Sequence, residues 1–397
     1  MSKTFSKKLD FDVLVVGAGA SGVAAACSAS SNGARVALIE RAGAFGGMAT
    51  GAHVGTICGL YPRGVRDSEL AGEFANEFVE RLQNKQGRKE LRSFGEELYF
   101  LPYESAYFEI TCDELLRENN VSVFLHSVCC DALSDGREIK SLKALVWNEV
   151  VEFSARAFVD ATGEGLLSLI LEAEMIEDSE LQAPGFVLGV NNVLGELEEK
   201  TLNLLVLKEL VAAGREGLIP NQISYLSVVP GSLIGNSLHF KLALPFQRKA
   251  EFNELTELER FSRQACVRCF DYLKKHVEEF KQASISFLAS QLGVRSGRRG
   301  AGKEILKAED VLASRKFSNA VANGLWPVEF WDGERKAKLE YFEDYYQIPE
   351  GALISKSFDN LYFCGRGISA DSKALSSARV IATSFATGTN AGKLALK

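Results

Sequence analysis

Five side chains in this sequence could do chemistry by type and placement. Arg295, Arg298 and Arg299 stand in one glycine-flanked run, Gly293-Val294-Arg295-Ser296-Gly297-Arg298-Arg299-Gly300-Ala301-Gly302. A guanidinium fork clamps a carboxylate through paired N–H···O bonds, or stabilises enolate-like charge that develops during hydride transfer. The competing roles for such a turn are a solvated basic surface and contacts to cofactor phosphates, so one of the three is expected to meet a substrate rather than all. His53 is an acid or base that titrates near neutral pH. Cys58 is a nucleophile only as its thiolate. The alternatives are a hydrogen-bonded packing residue for His53 and a small buried hydrophobe for Cys58. Tyr103, Tyr107 and His239 are weaker candidates, since aromatic side chains are more often core.

These groups need elements to hold them and a partner to react with. The hydrophobic run Val13-Leu14-Val15-Val16 is followed by Gly17-Ala18-Gly19-Ala20-Ser21-Gly22 and then by an alanine-rich segment ending at Asn32-Gly33. In such a strand–turn–helix unit Gly17 makes the tight turn. Gly19 lets backbone approach a pyrophosphate, and Gly22 lets the helix pack closely. The helix N-terminus, opening at Ala20 and Ser21, offers unpaired N–H groups and a partial positive charge to the phosphates. Glu40 closes the next strand about 20 residues onward, where an acidic residue bonds ribose hydroxyls and repels a 2′-phosphate. The unit is expected to bind a dinucleotide other than NADP. Pattern alone leaves FAD and NAD open.

The rest of the chain bounds the answer. Its 397 residues are 46% hydrophobic and 24% charged, enough for a large core and two domains. A net charge of −7 gives no footprint for nucleic acid. The N-terminal lysines precede an apolar run far too short for a signal core or a membrane span, so a cytoplasmic location without membrane attachment is expected. Eight scattered cysteines fit reduced thiols. Cys266 and Cys269 have CxxC spacing inside a helical stretch with no second Cys/His pair, and no metal site is expected.

Periodicity predicts helices over 69–86, 108–118 and 254–280, and strands over 121–128, 139–147, 150–153 and 157–161. The character changes between about 181 and 351, with strands at 186–193, 225–229 and 238–244. A hydrophobic strand at 361–364 and one helix from about 375 to 396 follow. The expected division is a first domain of residues 1–180 and 352–397 and an inserted domain of residues 181–351.

Further motifs narrow the cofactor. Gly46-Gly47-Met48-Ala49-Thr50 places bare backbone just after the ribose site. Together with Asp160-Ala161-Thr162-Gly163, the arginine-rich run above and Asp359-Asn360-Leu361-Tyr362-Phe363-Cys364-Gly365-Arg366-Gly367-Ile368-Ser369-Ala370, it resembles the FAD-dependent oxidoreductase family of the glutathione-reductase-like superfamily. The resemblance extends through Ser377-Ala378-Arg379-Val380, Ala386-Thr387-Gly388 and Ala391-Gly392. It implies an α/β fold: a Rossmann-like FAD-binding domain with a parallel sheet, plus an inserted α+β substrate domain with an antiparallel sheet. It implies that Gly365-Arg366 approaches the ribityl and phosphate portion of FAD and that the last helix aims its N-terminus at the flavin pyrimidine. The implied cofactor set also takes in Arg41, Val128, Ser377 and Ala378, and it puts His53 and Cys58 near the flavin, Cys58 as a thiolate or a covalent anchor. One departure is that members often carry an Asp-x-His pair where this chain has Trp326-Pro327-Val328-Glu329-Phe330-Trp331.

The leading expectation is hydride transfer between FAD and a small organic substrate, a carboxylate or an unsaturated compound. There is no second dinucleotide fingerprint, and the redox partner stays open. The alternatives are a flavin-dependent monooxygenase or oxidase, though the Gly-Asp motif of aromatic hydroxylases is not seen, and a non-catalytic flavoprotein or electron-transfer subunit.

Overall fold

Val13–Val16 has no polar residue, and such a strand needs cover on both faces. In the computed structural model it lies in the middle of a five-stranded, wholly parallel sheet. The order is Leu361–Phe363, Ala157–Asp160, Val13–Val16, Val36–Ile39, Ser122–Phe124. The structure describes residues 7–95, 97–176, 178, 181–196, 198–249, 251–334 and 336–397.

Side chains alternate across the sheet and so feed two cores. Val13, Val15, Val36, Leu38, Ala157 and Val159 meet the helices Ala20–Ser31, Glu73–Gln86, Ser105–Glu118 and Ile381–Leu394. Leu14, Val16, Ala37, Ile39, Phe158 and Phe363 face the other way, onto a four-stranded sheet ordered Lys7–Asp10, Glu149–Ser154, Glu138–Val146, Ser127–Asp135. Glycine sets the closest helix contact. A Cβ on Gly388 would lie 2.1 Å from the Ser21 carbonyl oxygen, and one on Gly392 would lie 2.3 Å from that of Ala25.

The single helix expected at the C-terminal end is two. Ser372–Ala378, capped by the Asp371 carboxylate accepting from the Ala374 N–H at 2.7 Å, stops at Arg379. Val380 is extended, and Ile381–Leu394 begins anew.

A second antiparallel sheet runs in the order Leu226–Val228, Leu238–Ala243, Gly185–Asn191, Ser284–Leu288. Helices Glu199–Arg215 and Glu254–His276 close its core, which gathers residues from Phe186 to Val294. The first of these helices was not among the expected elements, although Leu202, Val206, Leu210 and Ala213 recur at helical spacing. The second ends at His276, short of the expected residue 280, because residues 278–280 form a separate 3₁₀ turn. The segment 181–351 therefore divides between two cores, since Leu306, Val311, Leu325, Tyr346 and Ile348 pack with the first.

Candidate functional site

The carboxyl ends of Val13–Val16, Val36–Ile39 and Ala157–Asp160 open onto a cleft of about 710 Å³. Val13–Val16 connects onward to Val36–Ile39 on one side and its neighbour Ala157–Asp160 to Leu361–Phe363 on the other, and such a reversal of strand order is where open α/β sheets bind ligands. Each fingerprint glycine has a measurable reason. Gly17 sits at φ +103°, and a Cβ there would be 2.6 Å from the Ala161 carbonyl oxygen. A Cβ on Gly22 would be 1.8 Å from the Gly17 oxygen, so only glycine lets the helix close on the turn. A Cβ on Gly19 meets nothing within 4 Å. Gly19 also lines the cleft, so the space in front of it is open to a ligand. The helix it opens has no side-chain cap, which leaves its first N–H groups for that ligand.

Glu40 lines the cleft and ties two turns together. Its Oε2 accepts from the Ala18 N–H at 2.6 Å and its Oε1 from the Ala42 N–H at 2.8 Å. Gly46 donates to the Ala18 carbonyl at 2.8 Å, and a Cβ on Gly47, at φ +55°, would stand 3.0 Å from the Gly19 Cα. Ala20, Ser21, Arg41, Met48, Ala49 and Val128 also face the cleft.

On the third side lie Ala161, Thr162, Gly163 and Arg366. The buried Asp160 carboxylate accepts from the Thr162 N–H at 3.0 Å, the Thr162 hydroxyl at 2.6 Å and the Leu167 N–H at 2.9 Å. Burial pushes its carboxyl above the usual range, against those bonds. A Cβ on Gly163 would touch the Arg366 guanidinium at 2.7 Å. Arg366 donates to the Val294 carbonyl at 2.9 Å and pairs with Glu164 at 3.6 Å. Gly22, Gly365, Ser377 and Ala378 stand behind the cleft wall. Gly365 abuts Ser21, and the Ser377 hydroxyl bonds the Trp326 carbonyl and Tyr346.

The arginine run separates. Arg295 lines the cleft. Arg298 is exposed and away from it. Arg299 is wholly buried, bonded to the carbonyls of Ala370 and Gly297 and paired with Asp178. Arg299 is thus a structural tie, and the catalytic role expected for it does not fit its position. His53 is set back from the cleft. Its Nδ1 is 3.0 Å from the Ser105 hydroxyl and its ring stacks on Phe287 at 4.1 Å, with burial lowering its pKa. Cys58 lines the cleft, but burial pushes its thiol up to about 12. Of the two readings of Cys58, that favours the small buried hydrophobe over the thiolate.

Among the cleft residues not singled out from the sequence are Lys241, Glu329 and Arg379. The Glu329 carboxylate accepts from the Trp326 indole N–H and the Trp331 indole N–H, each at 2.8 Å. Burial works to raise its pKa, yet Arg379, the indole donors and Lys241 hold it below the usual range. The Arg295 guanidinium lies 4.0 Å over the Trp331 ring, and the Lys241 ammonium lies 5.1 Å from the same ring. Burial first, then repulsion from Arg295, lowers Lys241 to about 8, and burial first, then repulsion from Arg379, lowers Arg295 to about 9.

The cradle of Gly17, Gly19 and Gly47, the uncapped helix and the cleft volume fit a dinucleotide running over the turn. The family model for FAD dependent oxidoreductases matches residues 12–396. The chain belongs to that family. The cofactor of this FAD dependent oxidoreductase is therefore FAD, and the chain is an enzyme. Similar solved structures include a geranylgeranyl bacteriochlorophyll reductase-like protein from Thermoplasma acidophilum, 14% identical, covering 97% of this chain and 78% of that one at a TM-score of 0.49. The anhydrotetracycline hydroxylase OxyS from Streptomyces rimosus is 14% identical, over 75% of this chain and 54% of that one, at 0.46. The flavin-dependent brominase Bmp2 is 13% identical, over 98% and 79%, at 0.48. No curated protein matches the chain. Among the described residues, no helix is long and apolar enough to cross a membrane.

Proposed function

We propose that this oxidoreductase transfers a hydride between FAD and a small organic substrate, a carboxylate or an unsaturated compound, bound in the same cleft. One observation carries the reading. A single cavity is walled on one side by the dinucleotide turns at Gly19, Glu40 and Gly163, and on the other by the antiparallel-sheet residues Gly185, Val187 and Lys241. Cofactor and substrate walls therefore face one space, as direct transfer requires.

Bound FAD supplies hydride acceptance or donation. The protein's own residues do the rest. Gly19 and the uncapped helix behind it hold the pyrophosphate, and Glu40 meets the ribose from the turn that it braces. Ile381–Leu394 starts at the cleft, with Val380, Ile381 and Ser384 lining it, so its N-terminal N–H groups favour negative charge there. Arg295, held over Trp331, presents its cationic plane to the substrate.

The three layers around the parallel sheet support placing the chain in the glutathione-reductase-like superfamily. The core from Phe186 to Val294 supports an inserted substrate domain. Eight free cysteines suit a reducing, cytoplasmic setting. The test is anaerobic mixing of the FAD-loaded protein with saturated and unsaturated carboxylates, followed in the visible flavin bands. Bleaching by a saturated acid, or reoxidation of pre-reduced protein by an unsaturated one, is expected. Rapid reoxidation by oxygen with hydroxylated product, and no response to any organic compound without oxygen, would instead mark a monooxygenase.

A further inference from the structure

We propose that Lys241, Arg295 and Arg379 form an anion site in the cleft wall, and that the substrate docks there by a carboxylate. The inference rests on the oxidoreductase reading above and deepens it by naming the substrate class.

The three cations come from separate parts of the fold: the strand Leu238–Ala243, the loop after Ser284–Leu288, and the break before Ile381–Leu394. Nothing local brings them together. Elsewhere in the molecule buried guanidiniums have carboxylate partners: Arg248 and Arg366 have Glu164, and Arg299 has Asp178. Among the described residues, Lys241, Arg295 and Arg379 form no such ion pair. The one carboxylate nearby, Glu329, is engaged by two indole N–H groups, and Arg379 reaches only the Glu329 main-chain oxygen, at 3.5 Å. The Arg379 Nε is buried with no hydrogen-bond partner at all.

Largely desolvated cations that outnumber their counter-charge are unfavourable, and proteins keep them where a ligand completes the site. With Glu329 ionised, three positive charges face one negative charge, leaving an excess of two toward the cleft. A carboxylate offers two oxygens and about four lone-pair directions, enough to reach a planar guanidinium and an ammonium together. Arg295 is already oriented for it, its face fixed on Trp331 and its Nη1 donating to the Ala183 carbonyl. The lowered pKa values of Lys241 and Arg295 agree, because a bound anion restores both cations.

The experiment uses the intrinsic reporter. The chain has three tryptophans, of which Trp326 and Trp331 hold Glu329 and Trp147 is 70% exposed. In a Trp147→Phe background, the FAD-loaded protein is titrated with acetate, succinate and benzoate and with their amides, reading tryptophan fluorescence and the flavin spectrum. Saturable changes with at least one acid and none with its amide are expected. Arg295→Met and Lys241→Met should each weaken the acid at least tenfold, while Arg295→Lys recovers part of the loss. Circular dichroism confirms folding of each variant. Amides binding as tightly as the acids, no acid binding, or variants that lose FAD affinity while keeping carboxylate affinity would overturn the proposal. A protein that never takes up FAD would instead overturn the underlying reading, and the fluorescence titration still reports on the anion site by itself.

Discussion

The guanidinium of Arg295 lies over the indole of Trp331, 4.0 Å from its centre, and the indole N–H of that same tryptophan is bound to Glu329. One side chain thus holds a cation by its face and a carboxylate by its edge, and both line the cleft. A cation over a tryptophan face is worth about 0.5–2 kcal/mol, and a hydrogen bond to a charged group about 1.5–3 kcal/mol.

Replacing that ring removes both contacts. Trp331→Leu is expected to lower stability by about 2–5 kcal/mol, read by chemical denaturation. It should raise KM for the substrate more than it lowers kcat, because Arg295 loses its orientation rather than its charge. A variant with unchanged stability and unchanged KM would show that the pair is incidental.

Lys241 gives a pH signature. Its ordinary value is 10.5, and burial first, then Arg295, bring it to about 8. Below about 8 the ammonium is charged in both folded and unfolded chains, and the desolvation penalty is full. Between about 8 and 10.5 the unfolded chain holds more protons, so this residue's contribution to stability rises with pH. Relative to Lys241→Met, the wild type should gain stability between about pH 7.5 and about pH 9.5, while its affinity for a carboxylate falls over the same window. Parallel stability curves for the two proteins would contradict the assignment.

Asp160 makes three bonds from one buried carboxylate. Asp160→Asn turns an amide NH₂ toward a backbone N–H that needs an acceptor. A loss of about 2–3 kcal/mol is expected by denaturation, together with weaker FAD binding because Thr162 and Gly163 line the cleft. Unaltered stability would mean that the turn is held otherwise.

The cofactor half of the site was legible because its signals are local. Val13–Val16, the three glycines and Glu40 lie within one strand–turn–helix–strand unit, so short-range spacing alone brings Gly19 and Glu40 to one cleft. The opposite wall was not. Lys241, Glu329 and Arg379 are ordinary residues in sequence, joined only when two sheets and a helix break converge. The break itself has no proline or glycine to announce it, since Arg379 and Val380 are compatible with a continuous helix. Glu329 stood in plain view inside Trp326-Pro327-Val328-Glu329-Phe330-Trp331, which read as a missing histidine motif rather than as a carboxylate clamped by two indoles. Arg299 misled for the opposite reason. Its neighbours suggested a cleft residue, while the chain turns it inward onto Asp178. The helix Glu199–Arg215 did carry a readable pattern, in Leu202, Val206, Leu210 and Ala213.

FAD is expected to lie in this cleft with its pyrophosphate against Gly19. Gly19→Val places a side chain in open cleft space and touches nothing else within 4 Å at its Cβ, so folding should persist. The deciding measurement is an FAD titration of wild type and Gly19→Val, followed by flavin fluorescence with circular dichroism as the folding control. One FAD per chain is expected for the wild type, and an affinity lower by about 100-fold, ~2.7 kcal/mol, for the variant. Equal affinity in a folded variant would contradict it.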